Sequence, residues 1–193
     1  KKRTMGKLVL FMHTSLDMYT AGMNGEMNWI HVDQEIFEYV GKRVDETDTA
    51  LYGRVTFEMM EAYWPIAAEQ PGASDHDRHH AAWYKTAKKV VLSRSWKGRK
   101  IPNGQVISDN IREEVTALKT STEKDILVFG SPSSVHTLMA EGLIDSIWVF
   151  LNPVIIGKGI PLFSDIQEIT RLKLDVSHRF SSGVICLGYT VQR

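Results

Sequence analysis

Leu127-Val128-Phe129-Gly130-Ser131-Pro132-Ser133-Ser134 holds the pattern on which the fold turns: an apolar run, then small residues, then the start of a helix. The run Asp125–Phe129 reads as a strand and Ser133–Glu141 as a helix. Small residues at such a junction let a pyrophosphate approach the backbone, and Ser131, Ser133 and Ser134 can cap the helix or donate to an anion. The segment is not the GxGxxG fingerprint, so it does not by itself define a standard dinucleotide fold. The same order recurs upstream. Thr49–Tyr52 is a brief strand closed by Gly53, and Thr56–Ala62 has helical spacing.

Working outward, Lys7–His13 is a short buried strand and Thr14–Val32 is loop-like, punctuated by Gly22, Asn24-Gly25 and Asn28. From Asp33, placed as an N-cap, Ile36, Phe37, Val40 and Val44 fall at helical spacing. Pro65 to Ala73 reads as a polar surface loop, Asp77–Lys85 as a helix and Lys89–Ser93 as a strand. Beyond a turn at Pro102-Asn103-Gly104 come Val106-Ile107, a helix over Ile111–Lys119, and the β-rich run Ile144–Leu151. Leu172–Phe180 and Val184–Val191 flank Ser181-Ser182-Gly183, a hairpin signal. Strands alternating with helices through the first 150 or so residues predict an α/β sheet that is largely parallel, closed by antiparallel strands. The chain has 193 residues and neither repeats nor a long linker, so a single domain over residues 1–193 is expected.

Composition narrows the function. Lys plus Arg and Asp plus Glu both number 23, so the net charge is zero, whereas nucleic-acid and anionic-membrane binders usually carry excess positive charge. The single cysteine, Cys186, sits in an apolar run; it excludes an intramolecular disulfide and reads as a buried small hydrophobe. No apolar run approaches the roughly 20 residues a bilayer requires. The N-terminal Lys1-Lys2-Arg3-Thr4-Met5 is basic, but the apolar stretch after it is broken by His13 and Asp17, so no signal peptide is expected and the cytoplasm is the expected location. His76-Asp77-Arg78-His79-His80 looks metal-like but reads as a surface loop, and no metal is expected. The H-x-E with P-C-x-x-C pair of zinc deaminases, the G-x-S-x-G elbow and the P-loop are all missing.

Three strand ends carry phosphate-compatible chemistry. At Gly53-Arg54-Val55-Thr56 a glycine permits close approach, and Arg54 and Thr56 add a charge and a hydroxyl at a helix start. An ordinary turn capped by Thr56 is the plainer alternative. At Ser93-Arg94-Ser95 two hydroxyls and a guanidinium could read a ribose 2′-phosphate, where a solvated turn is the alternative. The Gly130–Ser134 junction is the third.

Together with Ser15-Leu16-Asp17, Gly142-Leu143-Ile144-Asp145 and Pro153-Val154-Ile155-Ile156-Gly157-Lys158-Gly159-Ile160-Pro161-Leu162-Phe163, these segments occur in one order that resembles the dihydrofolate-reductase-like family. The resemblance is closest to the C-terminal reductase domain of the bifunctional riboflavin-biosynthesis deaminase-reductase and runs from about Lys7 to Val191. It implies a central, mostly parallel sheet with flanking helices and a C-terminal antiparallel hairpin. It implies an NADPH-dependent reductase acting on a pterin-like or ribosylated-pyrimidine or carbonyl substrate, of the 5-amino-6-(5-phosphoribosylamino)uracil reductase or the dihydrofolate reductase type.

Carried over by position, Gly53, Arg54, Val55 and Thr56 would meet phosphates, and Ser93, Arg94 and Ser95 the adenosine 2′-phosphate. Gly130, Ser131, Ser133, Ser134 and Val135 would meet the pyrophosphate. The Asp17–Gly22 segment corresponds to a flexible loop over the nicotinamide, with Thr20 and Ala21 near the ring; Met18 stands where the family usually has glycine. Asp33 is the candidate catalytic carboxylate, its pKa raised in an apolar pocket, with Asp17, Trp29 and Phe37 as candidate substrate contacts; a plain helix cap is the alternative for Asp33. A homodimer is expected, with Ile144–Leu151 and Pro153–Phe163 as its contact region, and neither nucleic acid nor membrane as partner. The rival is a non-catalytic nucleotide-binding or regulatory module on the same fold.

Overall fold

The computed structural model describes residues 5–193; the basic stretch before Met5 lies outside the described residues. The strands are β1 (Leu8–Thr14), β2 (Tyr19–Ala21), β3 (Thr47–Gly53), β4 (Lys88–Leu92), β5 (Gly104–Ile107), β6 (Asp125–Val128), β7 (Ser146–Leu151), β8 (Ile160–Pro161), β9 (Leu172–Arg179) and β10 (Ile185–Val191). The helices are α1 (Gln34–Asp45), α2 (Arg54–Ala67), α3 (Asp75–Thr86), α4 (Ile111–Ser121) and α5 (Pro132–Ala140).

Eight strands form one sheet in the order β5-β4-β3-β6-β1-β7-β10-β9. From β5 to β7 every pairing is parallel, and β10 and β9 then add antiparallel pairings. Alternation along β1 decides which side chains go where. Val9 and Phe11 enter a cluster with Ile36 of α1, Phe57 of α2 and Trp83 of α3. Leu8 and Leu10 enter the opposite cluster with Val115 and Leu118 of α4 and Val135 and Leu138 of α5. Both sheet faces are therefore covered, which explains why the central strands read as continuous apolar runs.

Local chemistry sets the helix starts. Asp33 accepts the Ile36 N–H at the head of α1, and Ser74 and Asp77 form a capping box on α3, two residues earlier than the sequence spacing suggests. The His76–His80 stretch is thus helix rather than surface loop. Its imidazoles do separate jobs: His76 stacks on Phe37, His79 pairs with Asp45, and His80 is buried against Trp64. Among the described residues no group of side chains suited to a metal ion is found.

Two other expectations are corrected. Pro65 does not open a loop, because α2 runs through it to Ala67. In the last turn a proline removes one intrahelical bond only, and the burial of Ala67 anchors the end. Ile144–Leu151 offers no free strand edge to another copy, since β7 is flanked by β1 on one side and β10 on the other and most of its residues are buried.

The expected Thr14–Val32 loop is also partly ordered. β2 pairs with β8 in a separate antiparallel ribbon, reinforced by Leu162 N–H donating to the Met18 carbonyl at 2.9 Å. The ribbon closes because residue 159 lacks a side chain: a Cβ there would run into the Ala21 carbonyl oxygen. Gly159→Ala is expected to unzip this ribbon while the main sheet persists. Limited proteolysis should then cut between residues 17 and 30 faster than in the parent, with little change in far-UV circular dichroism.

Candidate functional site

In a sheet of parallel strands, ligands bind at the carboxyl ends where neighbouring strands send their connections to opposite faces. Here β6 is followed by α5 on one face, while its neighbours β3 and β1 lead to α2 and α1 on the other. The crevice therefore opens at the end of β6, at Gly130-Ser131.

The geometry there is tight. Gly53 N–H donates to the Gly130 carbonyl at 2.7 Å, joining the ends of β3 and β6. A Cβ on Gly53 would collide with Ser131 Oγ and lie 2.6 Å from Ser134 Oγ. Gly130 has φ +115° and is joined to Ser131 by a cis peptide bond. A Cβ on Gly130 would sit 3.3 Å from Met12 Cε and 3.5 Å from Thr56 Oγ1, so β1, the α2 start and the α5 start all meet at this point.

Gly53 and Ser131 are the N-caps of α2 and α5. Among the described residues neither of these helices has a side-chain cap bond or an acidic first turn. By contrast, α1 and α3 are capped by Asp33 and Ser74, and α1, α3 and α4 all carry carboxylates in their first turns. Two free helix N-termini facing one crevice offer unpaired N–H groups and positive dipole ends to an anion. Ser131 Oγ lies 2.9 Å from Ser133 Oγ and 3.5 Å from Ser134 Oγ, and Val135 is fully buried behind them.

Arg54 is tied to Glu58 at 2.8 Å on its own helix, and Val55 is exposed. Farther along the same edge, Ser93 follows β4 and Arg94–Trp96 form a 3₁₀ turn rather than more strand. Trp96 pins that turn by packing edge-on to Phe57, under the Arg99 guanidinium. Ser93 Oγ and Ser95 Oγ are 3.1 Å apart, and Arg94 is exposed: its carbonyl accepts the Lys97 N–H, its charge helps to hold Asp109 ionised, and its guanidinium makes no side-chain hydrogen bond or close ion pair among the described residues.

At the other end of the crevice the sequence expectations fare unevenly. Met18 adopts φ +63°, the left-handed geometry a glycine would take. The Asp17 carboxylate receives the Gly157 N–H at 2.8 Å and the Ile156 N–H at 3.3 Å. The Ser15 hydroxyl first, and then these amides, hold its carboxyl below the ordinary aspartate value. Asp17 therefore straps its own segment to the 154–157 turn. Thr20 is buried and donates to the Ile160 carbonyl at 3.0 Å, with Ala21 buried beside it in the ribbon. The segment expected to be a flexible loop is tied down at both ends.

Asp33 holds α1 through Oδ1 and pairs with His31 Nε2 at 2.9 Å through Oδ2. The expected raised pKa is overturned: the Ile36 N–H, and after it His31, push it below the ordinary value. An ionised Asp33 can accept hydrogen bonds from a ligand, but it is poorly placed to donate a proton. Trp29 is half-buried, with Nε1–H donating to the Glu26 carbonyl. Phe37 instead stacks on His76, ring centroids 3.8 Å apart, lining a groove of about 310 Å³ between α1 and α3.

Sequence reading missed Asn152 and His13. Asn152, buried just after β7, accepts the His31 N–H at 2.8 Å and donates to the Thr14 and Phe150 carbonyls, each at 3.1 Å. It binds together the ends of β1 and β7 and the entry to α1. The residues that Asn152 joins lie up to 139 positions away, beyond the reach of any local pattern. A second cavity, of about 800 Å³, opens at the amino end of β7 among His136, Met139, Ile144, Ile169 and Arg193, and is lined by none of the candidate cofactor or substrate residues.

A doubly wound sheet with an anion-ready crevice at its switch point defines the class: the dihydrofolate-reductase-like fold. More specifically, the chain belongs to the RibD C-terminal domain family, whose profile matches residues 6–186. It is 33% identical over 186 residues to the uncharacterized protein YyaP of Bacillus subtilis (strain 168), covering 95% of this chain and 94% of that one. Among solved structures it is similar to a putative riboflavin biosynthesis protein from Shewanella sp. PV-4, with a TM-score of 0.73, 18% identity, and coverage of 97% of this chain and 99% of that one. It is also similar to dihydrofolate reductase from Enterococcus faecalis complexed with NADP(H) and RAB-propyl, with a TM-score of 0.65, 14% identity, and coverage of 98% and 99%.

The depressed Asp33 pKa carries a sign. Stability from the ionised cap is present above the unfolded pKa, near 4, and is lost as pH falls through the lower folded value. Asp33→Ala should therefore lower the urea midpoint at pH 7, with the gap from the parent narrowing as pH is taken down to 3. A gap of constant size would remove the charge from this account.

Proposed function

We propose that this protein is an NADPH-dependent oxidoreductase that delivers hydride to a heterocyclic substrate held at the carboxyl ends of β1, β6 and β7. The observation carrying this reading is the pair of uncapped, carboxylate-free helix N-termini, α2 and α5, facing each other across Gly53 and Gly130. A dinucleotide pyrophosphate has the charge and size to occupy that position. The exposed Arg94 guanidinium, between two serine hydroxyls and without a close ion-pair partner among the described residues, would meet the 2′-phosphate, giving preference for NADPH over NADH. From that anchor the nicotinamide would extend toward the Asp17–Ala21 segment. The cofactor, when bound, supplies the hydride, and the chain supplies position and polarity.

Asp33, ionised and beside Trp29 in sequence, is assigned to accepting N–H groups of the substrate ring. The proton added with the hydride is then taken from solvent rather than from this carboxyl. Family membership and the fold shared with dihydrofolate reductase support the reductase reading, of either the ribosylated-pyrimidine or the pterin type. A cytoplasmic homodimer is the state we assign to the protein, with copies meeting through the 153–163 segment, where Ile155 is 70% exposed. Equilibrium sedimentation at micromolar concentration giving a monomer would remove the dimer.

The decisive test is a tryptophan-fluorescence titration with NADPH and NADH. Saturable NADPH binding at least about tenfold tighter than NADH is expected, and Arg94→Ala should weaken NADPH by about tenfold while leaving NADH unchanged. Equal losses for both cofactors would detach Arg94 from the 2′-phosphate. NADPH binding without turnover on pterins or aminopyrimidines would favour the regulatory-module reading instead.

A further inference from the structure

Helix α2 is apolar on two opposite sides. On the inner side Phe57 and Ala67 are buried, and Met60 and Trp64 pack against the core cluster that contains Phe57. A surface helix needs only one such stripe, with charged and polar residues toward water. On the outer side of α2, however, Val55, Met59 and Ile66 are 54, 47 and 50% exposed, with exposed Ala62 between them. Among the described residues, no other helix exposes a large apolar side chain.

The outer residues are regularly spaced. Positions 55, 59, 62 and 66 step by four, three and four, the spacing of a seam between two packed helices. At 1.5 Å per residue the seam is about 16 Å long. On one flank Arg54, paired with Glu58 at 2.8 Å, stands at the amino end, and Glu69 stands in the turn beyond the carboxyl end. The Glu69 carboxylate is exposed and has no hydrogen-bond or ion-pair partner among the described residues. On the other flank Tyr63 is held by its bond to Asp77 at 2.8 Å.

We propose that this seam packs against the same seam of a second copy, the two α2 helices running antiparallel about a two-fold axis between Met60 and Glu61. In that register Val55 faces Ile66 of the second copy, and Met59 faces Ala62, a long side chain over a short one. The surface is therefore complementary to itself, as a two-fold contact requires. Arg54 comes beside the unpartnered Glu69 of the second copy, and symmetry repeats that pair at the other end. A parallel arrangement would instead set Arg54 against Arg54 and Glu69 against Glu69.

This contact goes beyond the reductase reading and does not rest on it. It is also distinct from a meeting through residues 153–163. The strands leading into the two surfaces, β3 and β7, are separated in the sheet by β6 and β1. The α2 contact alone gives a dimer, and both contacts together give an assembly of four. A single helix pair is small beside the roughly 1,200–2,000 Å² of a stable interface, so the association is expected to be reversible.

The test is sedimentation velocity of the full chain at about 100 micromolar, high enough to populate a small interface. Met59→Glu combined with Ile66→Glu should halve the mass of the assembly with no change in far-UV circular dichroism, since both side chains are already exposed. Crosslinking reads the register without charging the seam. The chain's single cysteine, Cys186, is buried, so a thiol introduced at the surface reacts alone. Oxidised with copper phenanthroline, Ala62→Cys should give a disulfide-linked dimer. Thr120→Cys, exposed on α4 across the sheet, should give none. A parent that is monomeric, an assembly whose mass survives the double substitution, or Ala62→Cys linking no faster than Thr120→Cys would overturn the proposal.

Discussion

The hydrogen bond from Gly53 N–H to the Gly130 carbonyl is the constraint on which the arrangement of the crevice depends. It joins two parallel strands two residues beyond the end of β6, where the ladder would otherwise splay as the chains leave for opposite faces of the sheet. Because both residues are glycines, the backbones approach closely enough to bring the N-caps of α2 and α5 together over a single point. Any side chain at residue 53 would occupy the space that Ser131 and Ser134 now fill. The dipoles of two helices are thus aimed by a backbone contact, and the serine hydroxyls cluster around it as a consequence.

This also explains how a chain of zero net charge can offer an anion site. The positive potential comes from helix ends and unpaired N–H groups, so it leaves no trace in the balance of 23 basic and 23 acidic residues. What does show is the partition of caps. Helices α1, α3 and α4 carry acidic first turns, whereas α2 and α5, which meet at Gly53 and Gly130, start on glycine and serine without side-chain cap bonds. Cap chemistry that would stabilise an isolated helix would block the crevice, and the two helices facing it lack that chemistry.

Much of this was legible in the sequence because it is local. Strand, glycine, then helix at residues 51–56 and 127–134 can be read from spacing alone, and Asp33 before an apolar helical stripe is a recognisable cap. The polarity of Asp33 was misjudged because its neighbour His31 and the Ile36 N–H stabilise the ionised form, which outweighs any apolar surroundings. The β2–β8 ribbon was invisible because strands of three and two residues carry no periodicity, and its stability depends on a steric gap at Gly159. Phe37 was assigned to the substrate side by the family resemblance. Its ring belongs to the α1–α3 contact because His76, on a helix that begins 38 residues later, offers it a parallel face.

Asn152 shows most clearly why a polar hub escapes sequence reading. A buried carboxamide is costly unless its donors and its acceptor are met, and here they are met by groups from β1, β7 and the approach to α1. Nothing near residue 152 in the chain announces those partners. Once they are in place, the carboxamide can point only one way, with Oδ1 toward the His31 N–H and Nδ2 toward the Thr14 and Phe150 carbonyls. The two ends of the crevice then differ in kind. One is positive through helix dipoles and Arg94, and the other presents an anionic acceptor at Asp33. On the proposed reading, the phosphates of a dinucleotide lie over Gly53 and Gly130 and the reducible ring lies at the Asp33 end, so the difference in polarity between the two ends is what would orient the ligands.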